Sequence, residues 1–171
     1  MKEHFDDGIV QGYIDHENKR VHFYGAWQVE DWFKVPQFWP KKWRGIIGVH
    51  TGFADLADRA FLIKELPTEW EGWTISGHSM GGAIAVLLGY ITGCPAETAG
   101  CPRIGLFTAW QLGKKRHVRY INRFDPIQRL PFAFFGFRHF GIKVVLESNS
   151  IGFDAHEPAE YQKHLPWVTY P

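Results

Sequence analysis

Gly77-His78-Ser79-Met80-Gly81-Gly82 lies between Trp73-Thr74-Ile75-Ser76 and the apolar run Ala83-Ile84-Ala85-Val86-Leu87-Leu88. The residues before it favour a strand and those after it a buried helix, so Ser79 is expected at a sharp strand-to-helix turn, a nucleophile elbow. Such a turn forces the serine into a strained backbone conformation and draws strand and helix together. The flanking positions then need residues without side-chain bulk, which Gly77 and Gly81 supply. The Ser79 hydroxyl would emerge at the top of a sheet, with the Met80 amide and the new helix N-terminus aimed at any oxyanion formed there. Three fixed positions recur by chance roughly once in a few thousand windows. The strand before the motif, the second glycine Gly82 and the helix after it are therefore what make it informative. The competing reading is a glycine-rich turn in which Ser79 only caps the helix.

With 171 residues, 45% of them hydrophobic and 22% charged, the chain reads as one soluble globular domain, 1–171, with a sizeable core. A net charge of +1 makes no electrostatic case for nucleic acid or an anionic membrane surface. The start, Met1 to Asp7, has no apolar run of the secretory kind, so a cytoplasmic location is the default expectation. The longest apolar run, Ala83 to Ile91, is about half of what a membrane span needs. Cys94 and Cys101 are expected to be free thiols, since two cysteines make no disulfide framework and lack metal-site spacing. Eight Trp and fourteen Phe imply some aromatic surface exposed for ligands or interfaces.

Along the chain, Ile9 to Ile14 and Arg20 to Tyr24 predict a hairpin turning at Asp15-His16-Glu17-Asn18. Gln28 to Trp43 is rich in aromatics, including Trp32, Phe33, Phe38 and Trp39, and Pro36 and Pro40 forbid a long helix there. Two readings fit it: a mobile flap that offers apolar side chains to lipid, or rings packed on the sheet. Ile46 to Val49 predicts a strand and Gly52 to Ile63 a helix ended by Glu65-Leu66-Pro67. The elbow helix should stop near Gly93. Strands are predicted at Ala96–Ala99, Val118–Ile121 and Ile142–Leu146, and a short helix over Pro158–His164. Strands alternating with helices give an α/β fold with a mostly parallel sheet, whose ligands sit at the carboxyl ends of the strands.

A serine hydroxyl needs a base within hydrogen-bond reach, itself oriented by an acid. Asp125 follows the strand 118–121 and is stiffened by Pro126, although a turn carboxylate bonded to its own backbone is the plain alternative. Of nine histidines, His139, His156 and His164 follow Asp125. His156 stands in a polar loop before the last helix and is favoured as the base. His139, in an aromatic run, suits a core histidine, and His164 suits solvent. His78 should face away from Ser79. No phosphate-binding, dinucleotide or H-E-x-x-H pattern competes, and neither a metal nor an organic cofactor is expected.

From Val21 to Tyr161 the chain resembles the class 3, fungal-type lipase family of the α/β-hydrolase superfamily. Phe23-Tyr24-Gly25-Ala26 resembles the family's F-R-G-[ST], and Val49-His50-Thr51-Gly52-Phe53 its V-H-x-G-F. Gly77–Gly82 resembles G-H-S-L-G-G, and Gly100–Gly105 matches G-x-P-R-[VI]-G. Asn122–Pro131 matches N-x-x-D-x-[VI]-x-x-L-P, and His156 with Tyr161 fits D-x-H-x-x-x-x-Y. The resemblance implies a mostly parallel α/β-hydrolase sheet flanked by helices and hydrolysis of lipid esters by Ser79, Asp125 and His156. It also implies an oxyanion hole from the amides of Ala26 and Met80, and a lid, for which Trp27, Trp32, Phe33 and Trp39 are the candidates. A phospholipase A1 or short-chain esterase on the same residues, or a silent lipid-binding protein, are the alternatives. Ala26 stands where the family has a hydroxyl residue, so one oxyanion donor is missing unless Tyr24 or a water replaces it. The chain is also short for the family, with no helical lead-in and little between Phe53 and Trp73.

Overall fold

A computed structural model describes residues 2–25, 39–106 and 116–170. Its centre is a seven-stranded sheet. In chain order the strands are β1 (Lys2–Asp6), β2 (Gln11–Asp15), β3 (Arg20–Phe23), β6 (Thr74–His78), β7 (Ala96–Ala99), β8 (His117–Asn122) and β9 (Ile142–Leu146), and they lie side by side in that same order. β1 to β3 run antiparallel as a meander, and β3, β6, β7, β8 and β9 run parallel. Between β3 and β6 the chain forms a separate two-stranded sheet, β4 (Pro40–Trp43) with β5 (Ile46–His50), and then helix α1 (Thr51–Ala60). The elbow helix α2 spans Met80–Thr92, and α3 spans Pro158–Gln162.

α2 is apolar on every side because it is covered on every side, and all of Met80 to Gly89 is buried. Toward the sheet it packs Ile84, Ala85 and Leu88 against Ile14, Val21, Phe23 and Ile75. On its other side Ala83 and Leu87 meet Phe53 and Ala57 of α1 and Ile46 of β5. α1 accordingly buries one stripe, Phe53, Ala54, Ala57 and Ala60. Gly93, in the left-handed region at φ 76°, ends α2 as the sequence predicts. The opposite sheet face, carrying Ala99, is closed by Tyr161, Leu165 and Val168 from the C-terminal segment.

Four expectations need correction. β1 is absent from the sequence reading because Lys-Glu-His-Phe-Asp alternates hardly at all and buries only Phe5; pairing with β2 forms it. Pro40–Trp43 is a strand and not irregular chain, with Pro40 at its first position, where a missing N–H is tolerated. Trp43, at the end of the stretch read as a flap, packs in the core with its indole N–H donating to Asp58 at 2.9 Å. Trp39 is 79% exposed. Trp27, Trp32 and Phe33 lie outside the described residues, as does Ala26. The predicted helix 52–63 stops at Ala60, before Glu65-Leu66-Pro67. Cys94 and Cys101 are buried free thiols. Among the described residues no helix is long and apolar enough to cross a membrane.

Candidate active site

β6 leads straight into α2 through Ser79, whose backbone sits at φ 53° and ψ −125°. For a non-glycine residue this region costs about 1–3 kcal/mol and is held only where the surroundings over-determine it. They do so here through close approach. A Cβ on Gly77 would lie 2.2 Å from the carbonyl oxygen of Gly81, and one on Gly81 would lie 2.2 Å from that of Phe23. A Cβ on Gly25 would likewise lie 2.9 Å from the Ser79 Cβ. Ser79 makes no side-chain capping bond to α2, so the reading of it as a helix cap fails.

Its hydroxyl instead lies 2.9 Å from His156 Nε2. His156 Nδ1 lies 2.8 Å from Asp125 Oδ2. A carboxylate oxygen only accepts, so Nδ1–H donates to Asp125 and Nε2 is left to accept the Ser79 proton. All three side chains are buried. Asp125 comes from the turn after β8, and His156 ends a 3-10 turn, Gly152–His156, ahead of α3. The Ile127 N–H donates to Asp125 Oδ1 at 2.8 Å, so the self-bonded turn carboxylate foreseen from sequence is present, while Oδ2 serves His156. Gly100, at φ 58°, makes room for the pair: a Cβ there would sit 2.8 Å from Asp125 Oδ2 and 2.9 Å from His156 Nδ1. His139, half-buried, is bonded to the Gln128 carbonyl, and His164 is exposed, so neither approaches Ser79.

Two further sets of partners hold this arrangement. The Tyr161 hydroxyl donates to Asp125 Oδ2 at 2.6 Å and accepts from the Asn122 N–H at 3.1 Å. Burial first, then the Asp125 charge, pushes the Tyr161 phenol far above its ordinary range, so it stays a donor. Asn122 also ties the His156 turn to β8 by donating its side-chain amide to the Ala155 carbonyl at 2.8 Å. The second set was missed in the sequence. His78 donates from Nε2 to the backbone carbonyl of His156 at 2.9 Å. The Tyr170 hydroxyl lies 3.0 Å from His78 Nδ1 and accepts from the Gly25 N–H at 2.6 Å. Burial, then the neighbouring His156, drives the His78 pKa well below the usual value, which keeps Nδ1 an acceptor. Nothing in the local pattern around His78 or Tyr170, 92 residues apart, signals that contact. Tyr24 is not a spare donor: its hydroxyl is bonded to His4 Nδ1 at 3.0 Å and its ring is stacked on Tyr170.

Tyr161→Phe removes one donor to Asp125 and the acceptor of a buried N–H. Turnover is expected to fall about tenfold with little change in KM, and stability by about 1–2 kcal/mol. Kinetics alongside urea melts would check this; unchanged turnover would remove Tyr161 from any positioning role.

The family model for lipases of class 3 matches residues 21–135. Secreted mono- and diacylglycerol lipase 1 of Fusarium solani is 29% identical over 153 residues, covering 76% of this chain and 45% of that protein. Triacylglycerol lipase OBL1 of Ricinus communis is 31% identical over 108 residues, covering 51% of this chain and 20% of that protein. This chain thus spans less than half the length of either. A lipase from Rhizopus microsporus var. chinensis shares the fold with a TM-score of 0.66 at 20% identity, over 83% of this chain and 58% of that one. So does a triacylglycerol lipase whose catalytic centre is a serine-protease triad, with a TM-score of 0.62 at 24% identity, over 82% and 62% of the two chains. The sheet and its flanking helices are an α/β-hydrolase fold. By the family match over 21–135, the chain belongs to the class 3 lipase family.

Proposed function

We propose that this chain is a serine carboxylic-ester hydrolase that cleaves lipid acyl esters through an acyl-enzyme on Ser79. The observation that supports it most is the unbroken hydrogen-bonded run from Ser79 Oγ through His156 to Asp125. Ser79 Oγ would attack the ester carbonyl as its proton passes to His156 Nε2. The imidazolium then gives that proton to the departing alcohol oxygen as the C–O bond breaks. A water deprotonated by the same nitrogen adds to the acyl carbon, and collapse of that adduct returns the proton to Ser79 and frees the acid. Asp125 holds the histidine tautomer throughout.

The amides of Met80, first residue of α2, and of Ala26 are assigned to the oxyanion. Trp27, Trp32, Phe33 and Trp39 are assigned to the apolar surface that meets the acyl chain. Ala26 brings no hydroxyl, and one well-placed oxyanion donor is worth on the order of 10²-fold in rate. Ala26→Ser is therefore expected to raise kcat at nearly constant KM, because the added bond strengthens only as the oxyanion forms. Unchanged kcat on an ester whose chemical step is rate-limiting would show that position 26 does not face the oxyanion.

A fluorophosphonate probe tests the central reading, since only an activated serine reacts with it at speed. Rapid labelling of the native chain and none of the Ser79→Ala variant is expected; equal, slow labelling of both would refute it. Esters of graded acyl length, with and without a phosphate headgroup, then separate lipase, short-chain esterase and phospholipase A1.

A further inference from the structure

The net charge of +1 conceals an uneven distribution. Arg119 of β8 pairs in register with Lys143 of β9, so both side chains rise from one face of the sheet at its far edge. With Arg103, Arg123 and Arg129 they line an open cavity of about 580 Å³. No Asp or Glu lines it among the described residues.

Arg119 is the most telling of the five. It is only 8% exposed, and its Nε is buried without a hydrogen-bond partner. A guanidinium does not neutralise itself by losing its proton, so a buried one is ordinarily matched by a carboxylate or by several acceptors. Arg103 spends its Nη1 on the backbone carbonyls of Arg129 and Pro131, which orders it but leaves its charge unmatched. Burial, then the charges of Arg138 and Arg129, hold Arg103 below the usual arginine range; burial does the same to Arg119. His139 in the same wall is neutral, pushed down to about 3 by burial and then Arg119. Among the described residues no carboxylate supplies the counter-charge, and forked guanidiniums favour an oxyanion with several acceptor oxygens.

What surrounds the cavity narrows the source. Arg129 is followed closely by Phe132, Phe134 and Phe135, all exposed, with rings in contact at 5.8 and 3.9 Å. Exposed aromatics beside unmatched cations complement a surface that is apolar within and anionic at its rim. We propose that this cavity takes the phosphate of an anionic lipid headgroup, while Phe132, Phe134 and Phe135 enter the acyl layer beside it. None of the five cations belongs to the hydrogen-bonded run at Ser79. The choice of a lipid as carrier rests in part on the ester-hydrolase reading; the binding test does not, because it involves no turnover and can be run on the Ser79→Ala chain.

The test is flotation of the whole chain with phosphatidylcholine vesicles, plain or doped with phosphatidic acid. Doped vesicles should be bound about tenfold more tightly or better. The double variant Arg123→Gln/Lys143→Gln, whose side chains are exposed, should lose most of that preference while remaining folded. Arg119→Gln should lose it too. Lys42→Gln/Lys64→Gln, an equal charge change elsewhere on the surface, should keep it. Equal binding to both vesicles, an unaffected Arg123→Gln/Lys143→Gln variant, or an equal loss in the control variant would overturn the proposal. Inorganic phosphate provides the second arm. A melting temperature raised by phosphate and insensitive to chloride, lost in Arg119→Gln and unaccompanied by any vesicle preference, would assign the cavity to a soluble phosphate compound and overturn the lipid.

Discussion

Ser79→Ala is expected to lower ester hydrolysis by on the order of 10⁴-fold or more, His156→Ala by a similar factor, and the double variant by hardly more than either. The reason is that proton transfer and attack are one event. With Oγ gone, His156 Nε2 has no proton to receive; with the imidazole gone, Oγ is a neutral hydroxyl with nothing to activate it. The 2.9 Å contact between them is the only route for that proton among the described residues. His164→Ala, altering an exposed ring, should be silent. Steady-state rates on one soluble ester, corrected for folded fraction, decide the matter. Independent, multiplying losses for Ser79 and His156, or a dead His164→Ala chain, would mean that another group carries the proton.

The second large effect is on folding. Gly81→Ala would place a methyl group 2.2 Å from the Phe23 carbonyl oxygen and 2.4 Å from that of Tyr24, both backbone atoms of the neighbouring strand and its exit. No rotamer change relieves such a contact, so β3 and α2 must separate and disturb the apolar layer between them. A loss of about 3–5 kcal/mol is expected, enough to unfold much of a marginal domain. Gly8→Ala provides the contrast: φ is +87° there but no atom lies within 4 Å of the new Cβ, leaving only the left-handed backbone penalty of about 1–2 kcal/mol. Denaturant melts of the two variants measure the difference. Equal losses would show that the elbow is loose enough to absorb a methyl group.

How far the chain could be read in advance depended on how local each feature is. Glycines at 77, 81 and 82 ahead of an apolar run announce a close strand-to-helix turn because the steric demand falls on residues next to one another. The periodicity of α1, the strand-favouring Thr74-Ile75 of β6 and the small residues of β7 are legible for the same reason. β1, by contrast, buries a single residue, and β4 begins with a proline; each exists because a partner strand supplies its hydrogen bonds. Trp43 looked like part of a flap because its aromatic neighbours precede it, yet the partners that bury it, such as Phe53 and Ala57, come after it.

The sequence by itself determined the elbow at Ser79, the alternation of strands and helices, and an ordered set of motifs running from Val21 to Tyr161, since these are written in neighbouring residues. Which histidine meets Ser79, across a separation of 77 residues, was decided only by the tertiary structure. So was the carbonyl that His78 holds, and so was the convergence of Arg103, Arg119, Arg123, Arg129 and Lys143 on one cavity. These depend on the order in which strands lie side by side and on the loops that return across their ends. Even the overall charge misleads here, because a sum over the chain says nothing of where the sheet collects its cations.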